Sequence, residues 1–243
     1  MTADLSAPPR LDERHALFLD FDGTLAPIQD DPDAVILPPD TREALAALEP
    51  LLGDAIAIIS GRDIRDLSAR VPLAYWRAGG HGLEICGPDE TPAAKPAGAP
   101  RDIVKAIEMI TTGLEGVRVE HKGPVVAIHY RQAPDMGPAL LARLEDTLHD
   151  NPDYKVQAGK MVIEAKPAHA NKGKAVEMML SHLPFRERVA VMIGDDTTDE
   201  DAFKVVNRLG GLTIKVGEGE TAATYRMSST QDVANWLIEQ GKR

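Results

Sequence analysis

The segment HALFLDFDGTLAPI, residues 15–28, drives Asp20 and Asp22 to the end of a strongly apolar run and then breaks at Gly23-Thr24. Carboxylates beside a core are costly unless a metal ion or a set of hydrogen-bond donors compensates them. Any fold this chain adopts must therefore bring compensating groups to that strand end.

The rest of the chain supplies a frame for it. Residues 16–22 read as a central strand, and PPDTREALAALEPLLGD as a helix capped by Asp40 or Thr41, with Leu45, Leu48 and Leu52 at helical spacing. AIAIIS (55–60) is the continuous apolar run of a strand covered on both faces. GRDIRDLSARV predicts a helix, AYWRAGGHGLEI one or two strands, and VAVMIGDD (189–196) another strand. DEDAFKVVNRLG, GLTIKVG and QDVANWLIEQ continue as helix, strand and closing helix. This alternation predicts a parallel, doubly wound α/β sheet.

The middle breaks the rhythm. GPDETPAAKPAGAP (87–100) reads as a linker. A helix follows (Ile103, Ile107, Ile110, Leu114), then strands GVRVEHK and VVAIHYR, a helix over about 137–149, and a hairpin of YKVQAG and KMVIEAK. Consecutive strands joined by tight turns predict an antiparallel sheet. The expected organisation is a discontinuous core, 1–96 plus 172–243, with an α+β module inserted at 97–171. Residues 1–14 read as a loose tail. Met178, Met179 and Leu180 read as core of the helix after Lys172, and Trp236 and Leu237 as the seal of the last helix.

Composition excludes several functions. A net charge of −11 argues against a nucleic-acid partner, and 4% aromatics offers no stacking platform for one. A small anionic substrate stays compatible, because a metal ion and a few local cations reverse the field within a pocket. One cysteine, Cys86, excludes an internal disulfide and fits a reducing compartment. With no apolar run of signal-peptide or membrane-spanning length, a cytoplasmic location and no membrane partner are expected. His15, His129, His149, His169 and His182 show no H-x-x-x-H spacing, so no zinc site is expected.

Three loops at the C-terminal ends of predicted parallel strands carry unusual residues: Asp20 to Thr24, Ser60-Gly61-Arg62, and Gly194 to Asp199. Such strand ends are where open α/β sheets bind ligands. Lys172 opens a predicted helix although the dipole disfavours a cation there, which calls for an anion nearby. Asp20, Asp22 and Asp195 offer hard oxygen ligands suited to Mg²⁺. Ser60, Gly61, Lys172 and the turn through Gly23 and Thr24 offer donors for phosphate oxygens. Arg62 either reaches phosphate or pairs with Asp63 or another acid. His81 and Glu84 either line the cleft or belong to a structural turn at Gly80–Gly82.

The set D-x-D-G-T-L, S-G-R, K-G and G-D-D-x-T-D resembles the haloacid-dehalogenase (HAD) superfamily of aspartate-nucleophile phosphatases. The resemblance implies a HAD-like core with an inserted cap. It also implies that Asp20 attacks phosphorus, that Asp22 acts as acid and then base, and that Lys172 assists. Mg²⁺ would then be held by Asp20, the Asp22 carbonyl and Asp195, with Asp196 and Asp199 orienting its waters or Lys172.

In the inserted module, alternation puts Arg118, Glu120 and Lys122 on one face of the first strand, with Val117, Val119 and His121 on the other. Ala127, His129 and Arg131 oppose Val126, Ile128 and Tyr130, and Val162, Glu164 and Lys166 oppose Met161, Ile163 and Ala165. Each strand thus has one face for the helices and one polar face of mixed donors and acceptors. HGLE, VEHKGPVVAIHYR, VIEAKPAHANKG and GDDTTDEDAF resemble trehalose-6-phosphate phosphatases. That resemblance implies that Glu120, Lys122 and Glu164, helped by Arg131, bind the distal glucose of trehalose 6-phosphate. It further implies a monomer functionally coupled to a trehalose-phosphate synthase. The alternatives are a phosphatase for sucrose phosphate or mannosyl phosphoglycerate, and a non-catalytic regulatory sugar-phosphate-binding domain.

Overall fold

The computed structural model describes residues 8–93 and 98–242. The elements run β1 (His15–Leu19), α1 (Pro39–Leu52), β2 (Ile56–Ile59), α2 (Ile64–Arg70), β3 (Trp76–Gly79) and β4 (Glu84–Cys86). Next come α3 (Arg101–Thr111), β5 (Arg118–Lys122), β6 (Val125–His129), α4 (Gly137–Leu148), β7 (Tyr154–Gly159) and β8 (Val162–Pro167). The chain closes with α5 (Lys172–Leu180), β9 (Val189–Gly194), α6 (Thr197–Arg208), β10 (Leu212–Val216), β11 (Tyr225–Met227) and α7 (Thr230–Gly241). They form two compact units, Met1–Pro92 with Asn171–Arg243, and Ala93–Ala170. No helix among the described residues is long and apolar enough to cross a membrane.

The first unit is a seven-stranded sheet of order β11-β10-β9-β1-β2-β3-β4, parallel except for the edge strand β4. Strand β1 is central and wholly buried, and its period-2 alternation serves both faces. Leu17 and Leu19 join Leu45, Leu48 and Leu52 of α1 and Val233 and Leu237 of α7. Ala16 and Phe18 join Val176 and Met179 of α5 and Ala202, Phe203 and Val206 of α6. Continuing that alternation, position 20 falls on the α5/α6 side, at the edge where both helices begin.

The second unit is an antiparallel sheet of order β5-β6-β8-β7. One face of it buries Val126, Ile128, Ile163 and Ala165 against Ile103 and Ile107 of α3 and Leu140, Leu144 and Leu148 of α4. The paired register places Glu120, Ala127, Glu164 and Gln157 in one row across the four strands.

Several expectations are corrected. Residues 8–14 are not loose throughout: Leu11 is buried and its N–H donates to Gln240 at 2.8 Å, while residues 1–7 lie outside the described set. Neither Asp40 nor Thr41 caps α1, which begins at Pro39 after Pro38 with no side-chain cap. Pro38 occupies the cap position and has no side-chain acceptor for the first-turn N–H groups, and Asp40 instead sits in the first turn, where its charge suits the dipole. Met178 is exposed, because only Met179 of that pair falls on the sheet-facing side of α5. Strand β6 ends at His129, so Arg131 lies beyond it in a turn rather than on the sheet face. Met161 is likewise an exposed turn residue, with φ of +61°.

The expected linker is anchored at its start, and its residues 94–97 lie outside the described set. Arg77, fully buried on β3, donates to the carbonyls of Tyr75 (3.1 Å), Gly87 (2.8 Å) and Glu90 (2.7 Å) and to Ser68 Oγ (2.9 Å). Replacing Arg77 by Met keeps the apolar volume but orphans those carbonyls. Arg77→Met is expected to cost about 3 kcal/mol in urea unfolding and to open residues 87–93 to proteolysis. A loss under about 0.5 kcal/mol would remove the anchor from this account.

Candidate active site

The loop after β1 is a compact turn. The Phe21 carbonyl accepts from the N–H groups of Leu25 (3.0 Å) and Ala26 (2.9 Å), and Gly23 N–H donates to the Ala26 carbonyl at 2.8 Å. The Gly23 N–H is therefore already engaged within the loop. Gly23 has φ of +84°, and a Cβ there would lie 2.1 Å from Asp195 Oδ2. Only glycine lets the two loops meet so closely. Gly194 is constrained from the other side, since a Cβ would fall 2.2 Å from Asp199 Cγ.

Asp20 is buried, and the first residue of α5 meets it: Lys172 Nζ donates to Asp20 Oδ1 at 2.6 Å and to Asp199 Oδ1 at 2.7 Å. Asp199 is fully buried, and its other oxygen accepts from the N–H groups of Asp195 (3.1 Å) and Asp196 (3.0 Å). Asp196 is the N-cap of α6 and forms a capping box with Asp199. Asp199 thus holds the lysine and the 195–196 loop together, and its oxygens are largely committed.

Asp20, Asp195 and Asp199 each offer an oxygen within 4.8 Å of the others. Burial pushes the Asp20 carboxyl well above the usual carboxylate range, with Lys172 pulling the other way and the Asp199 and Asp195 charges adding to the rise. Burial, then Asp199, lifts Asp195 to about 6. Burial works against the Lys172 ammonium, but Asp199 and Asp20 more than offset it and raise its pKa. Three acids around one cation leave negative charge uncompensated, and Asp195 Oδ1 is buried with no hydrogen-bond partner. That orphaned oxygen, with Asp20 beside it, fits a hard divalent cation such as Mg²⁺.

The remaining core residues fall around this cluster or just beside it. Thr24 is fully buried and its hydroxyl has no partner, and Ser60 is buried with its Oγ accepting from Arg62 N–H at 3.1 Å. Arg62 grips Asp22 with both arms, Nε to Oδ2 at 2.7 Å and Nη2 to Oδ1 at 2.6 Å, and also reaches Asp66 at 2.8 Å. Its partner is thus Asp22 rather than Asp63. His81 is buried against the S-G-R loop, where a Cβ on Gly61 would lie 2.8 Å from its ring. Glu84 is held by the Arg65 guanidinium at 2.8 and 2.9 Å, a structural pairing.

On the second unit, Lys122 Nζ lies 3.7 Å from Glu120 and 3.5 Å from Glu164. Glu120 Oε2 is hydrogen-bonded to His129 Nε2 at 2.7 Å, and that bond holds Glu120 below its ordinary range. Strand alternation places His129 on the polar face, and the structure adds its hydrogen bond to Glu120 and sets Gln157 opposite Glu164. Lys215, a lysine inside the buried run LTIKV, carries no motif that marks it in the sequence.

The uncompensated charge has a measurable consequence. For Asp195, a carboxyl whose folded pKa is raised from 3.8 to about 6, the folded state holds the extra proton, so metal-free stability falls as pH rises between those values. The full span corresponds to about 3 kcal/mol. Asp195→Asn is therefore expected to be more stable than the parent at pH 7 without divalent cations, by 1–3 kcal/mol, with the gap closing below pH 4. Chemical unfolding in chelator across pH 3.5–7.5 reads this, and a variant less stable at pH 7 would contradict it.

A family model described as trehalose-phosphatase matches residues 18–232. The trehalose-6-phosphate phosphatase of Escherichia coli K12 is 38% identical over 241 residues, covering 98% of this chain and 90% of that protein. The C-terminal domain of the Candida albicans trehalose-6-phosphate phosphatase superposes with a TM-score of 0.83 at 26% identity, over 95% of this chain and 92% of that one. A haloacid dehalogenase-like hydrolase from Bacteroides thetaiotaomicron shares the fold, with a TM-score of 0.66 at 15% identity over 93% and 98% of the two chains. With the acid cluster at the strand ends and this extent of similarity, the chain belongs to the trehalose-phosphatase family, on a HAD fold.

Proposed function

We propose that this protein is a Mg²⁺-dependent phosphatase that hydrolyses trehalose 6-phosphate to trehalose and phosphate through an aspartyl-phosphate at Asp20. In that role it would perform the last step of trehalose biosynthesis in the cytoplasm. The observation that carries the reading is Asp20 itself. It is a buried carboxylate at the end of the central strand, with one oxygen fixed by Lys172 and further acids beside it.

In the proposed reaction, a carboxylate oxygen of Asp20 bonds to phosphorus as the bond to the sugar oxygen breaks. Asp22 donates the proton the leaving alcohol needs. Water then attacks the acyl phosphate, Asp22 takes its proton, and inorganic phosphate leaves with Asp20 restored. Lys172 keeps Asp20 oriented and offsets its charge. A divalent cation held by Asp20, Asp195 and the Asp22 carbonyl would supply charge neutralisation for the phosphoryl group. Arg62 holds both oxygens of Asp22, so Asp22 must leave that pair to reach the leaving oxygen and the attacking water. Thr24 and Ser60 hydroxyls and Gly61 would serve the phosphate oxygens, with Asp196 and Asp199 holding the loop.

On the inserted module, Glu120, Lys122 and Glu164 mix acceptors with one cation, which suits the neutral vicinal hydroxyls of a glucose unit. A substrate with a second anionic group, such as mannosyl phosphoglycerate, would be repelled by two glutamates. Arg131 joins the proposal as a turn residue after β6.

Phosphate release across a panel of sugar phosphates, with and without Mg²⁺, tests the reading. Trehalose 6-phosphate should be the preferred substrate and turnover should vanish in chelator. Preference for sucrose phosphate or mannosyl phosphoglycerate would select the alternative, and no release from any would favour a regulatory binding domain. Asp20→Asn should reduce turnover at least about 10³-fold with the fold intact, and activity within tenfold of the parent would remove Asp20 as nucleophile. Glu164→Gln should lower kcat/KM for trehalose 6-phosphate about 10–100-fold, the loss of one charged hydrogen bond. It should leave p-nitrophenyl phosphate hydrolysis within twofold, and an equal loss on both substrates would take Glu164 out of sugar recognition.

A further inference from the structure

Lys215 is buried on β10, in register with Gly194 of the neighbouring strand β9. Its ammonium donates to the backbone carbonyl of Asp195. Among the described residues it makes no ion pair with a carboxylate side chain, so its charge is buried against a neutral acceptor. Taking an ammonium out of water costs several kcal/mol unless its surroundings are strongly negative. Asp195, whose carbonyl Lys215 meets, belongs to the acid cluster with Asp20 and Asp199.

The contact completes a pattern around Asp195. Its N–H donates to Asp199 Oδ2 at 3.1 Å, the N–H of the next residue donates to the same oxygen at 3.0 Å, and its carbonyl accepts from Lys215. Both peptide groups flanking the Asp195 Cα are therefore fixed. The carboxylate in turn lies hard against Gly23, and its Oδ1 has no donor. The side chain is oriented through its backbone, which leaves a ligand oxygen open where a direct donor would have occupied it.

We infer that Lys215 is a positioning residue: by holding the Asp195 carbonyl it aims the Asp195 carboxylate so that its open oxygen can take a divalent cation. The inference rests on the reading of this cluster as a metal site. It is separable from a simple charge effect, because the two predict opposite signs. Removing a buried cation beside a cation site strengthens metal binding on Coulomb grounds alone, whereas releasing the Asp195 carbonyl weakens it. Loss of partners that orient metal ligands typically costs 10–100-fold in affinity.

The test is Mn²⁺ binding to the full chain without substrate, followed by the electron paramagnetic resonance signal of free Mn²⁺. Lys215→Met, close to lysine in volume, is expected to bind Mn²⁺ at least about tenfold more weakly than the parent while unfolding cooperatively. Binding equal to or tighter than the parent overturns the inference. Lys215→Gln drops the charge and places its amide one bond short of the Asp195 carbonyl. Should the Met variant fail to fold, Gln binding at least about tenfold weaker than the parent sustains the inference, and binding equal to or tighter than the parent overturns it. Parent protein that binds Mn²⁺ yet hydrolyses no trehalose 6-phosphate would overturn the proposed substrate and leave Lys215's role standing. Parent protein that binds no Mn²⁺ would overturn the metal reading itself.

Discussion

The contact between Lys172 and the two buried acids Asp20 and Asp199 is the interaction on which the first unit depends. A carboxylate ending a central parallel strand has no water to solvate it, and a lysine opening a helix sits against the dipole. Each is unfavourable alone, and together at 2.6 and 2.7 Å each supplies what the other lacks. Because the lysine comes from α5 and the second acid from α6, the pairing also ties the starts of both helices to the end of β1. Asp199 extends the tie by accepting from the backbone of the 195–196 loop. The compensation is still incomplete, and that excess negative charge gives the cluster its chemical capacity.

The glycines of the site follow from the same crowding. The loops after β1 and β9 pack so tightly that a Cβ on Gly23 would overlap Asp195 and one on Gly194 would overlap Asp199. Both glycines are spacers that let carboxylates approach within interaction range, and the D-x-D-G and G-D-D motifs are the sequence trace of that approach. The second unit solves a different problem. Its antiparallel sheet buries one face under α3 and α4 and leaves the other to Glu120, Lys122, His129 and Glu164, where Glu120 meets His129 at 2.7 Å and Lys122 stands 3.7 and 3.5 Å from Glu120 and Glu164.

Much of this was legible along the chain because it obeys local periods. The apolar runs of β1, β2 and β9 match strands covered on both faces, and the spacing of Leu45, Leu48 and Leu52 matches one buried helical face, whereas burial along β5 and β8 does not alternate: His121 is exposed, and Glu164 and Lys166 are buried. Local signals misled where chain direction changes. Proline displaced the cap of α1, and β6 stopped at His129, two residues short of Arg131. The buried Leu11 escaped notice because its partner, Gln240, lies at the other end of the chain.

The sequence by itself determined that acids would sit at buried strand ends, that the sheet would be parallel and doubly wound, and that an antiparallel module would interrupt it. These are consequences of which residues can be buried at which spacing. Only the tertiary structure decided which group compensates which. Lys172 pairs with Asp20 from 152 residues away, Arg62 with Asp22 from 40, and Lys215 with the Asp195 carbonyl from 20. Such choices depend on strand order and helix placement, which bring loop ends together irrespective of their separation along the chain, and no local period encodes them.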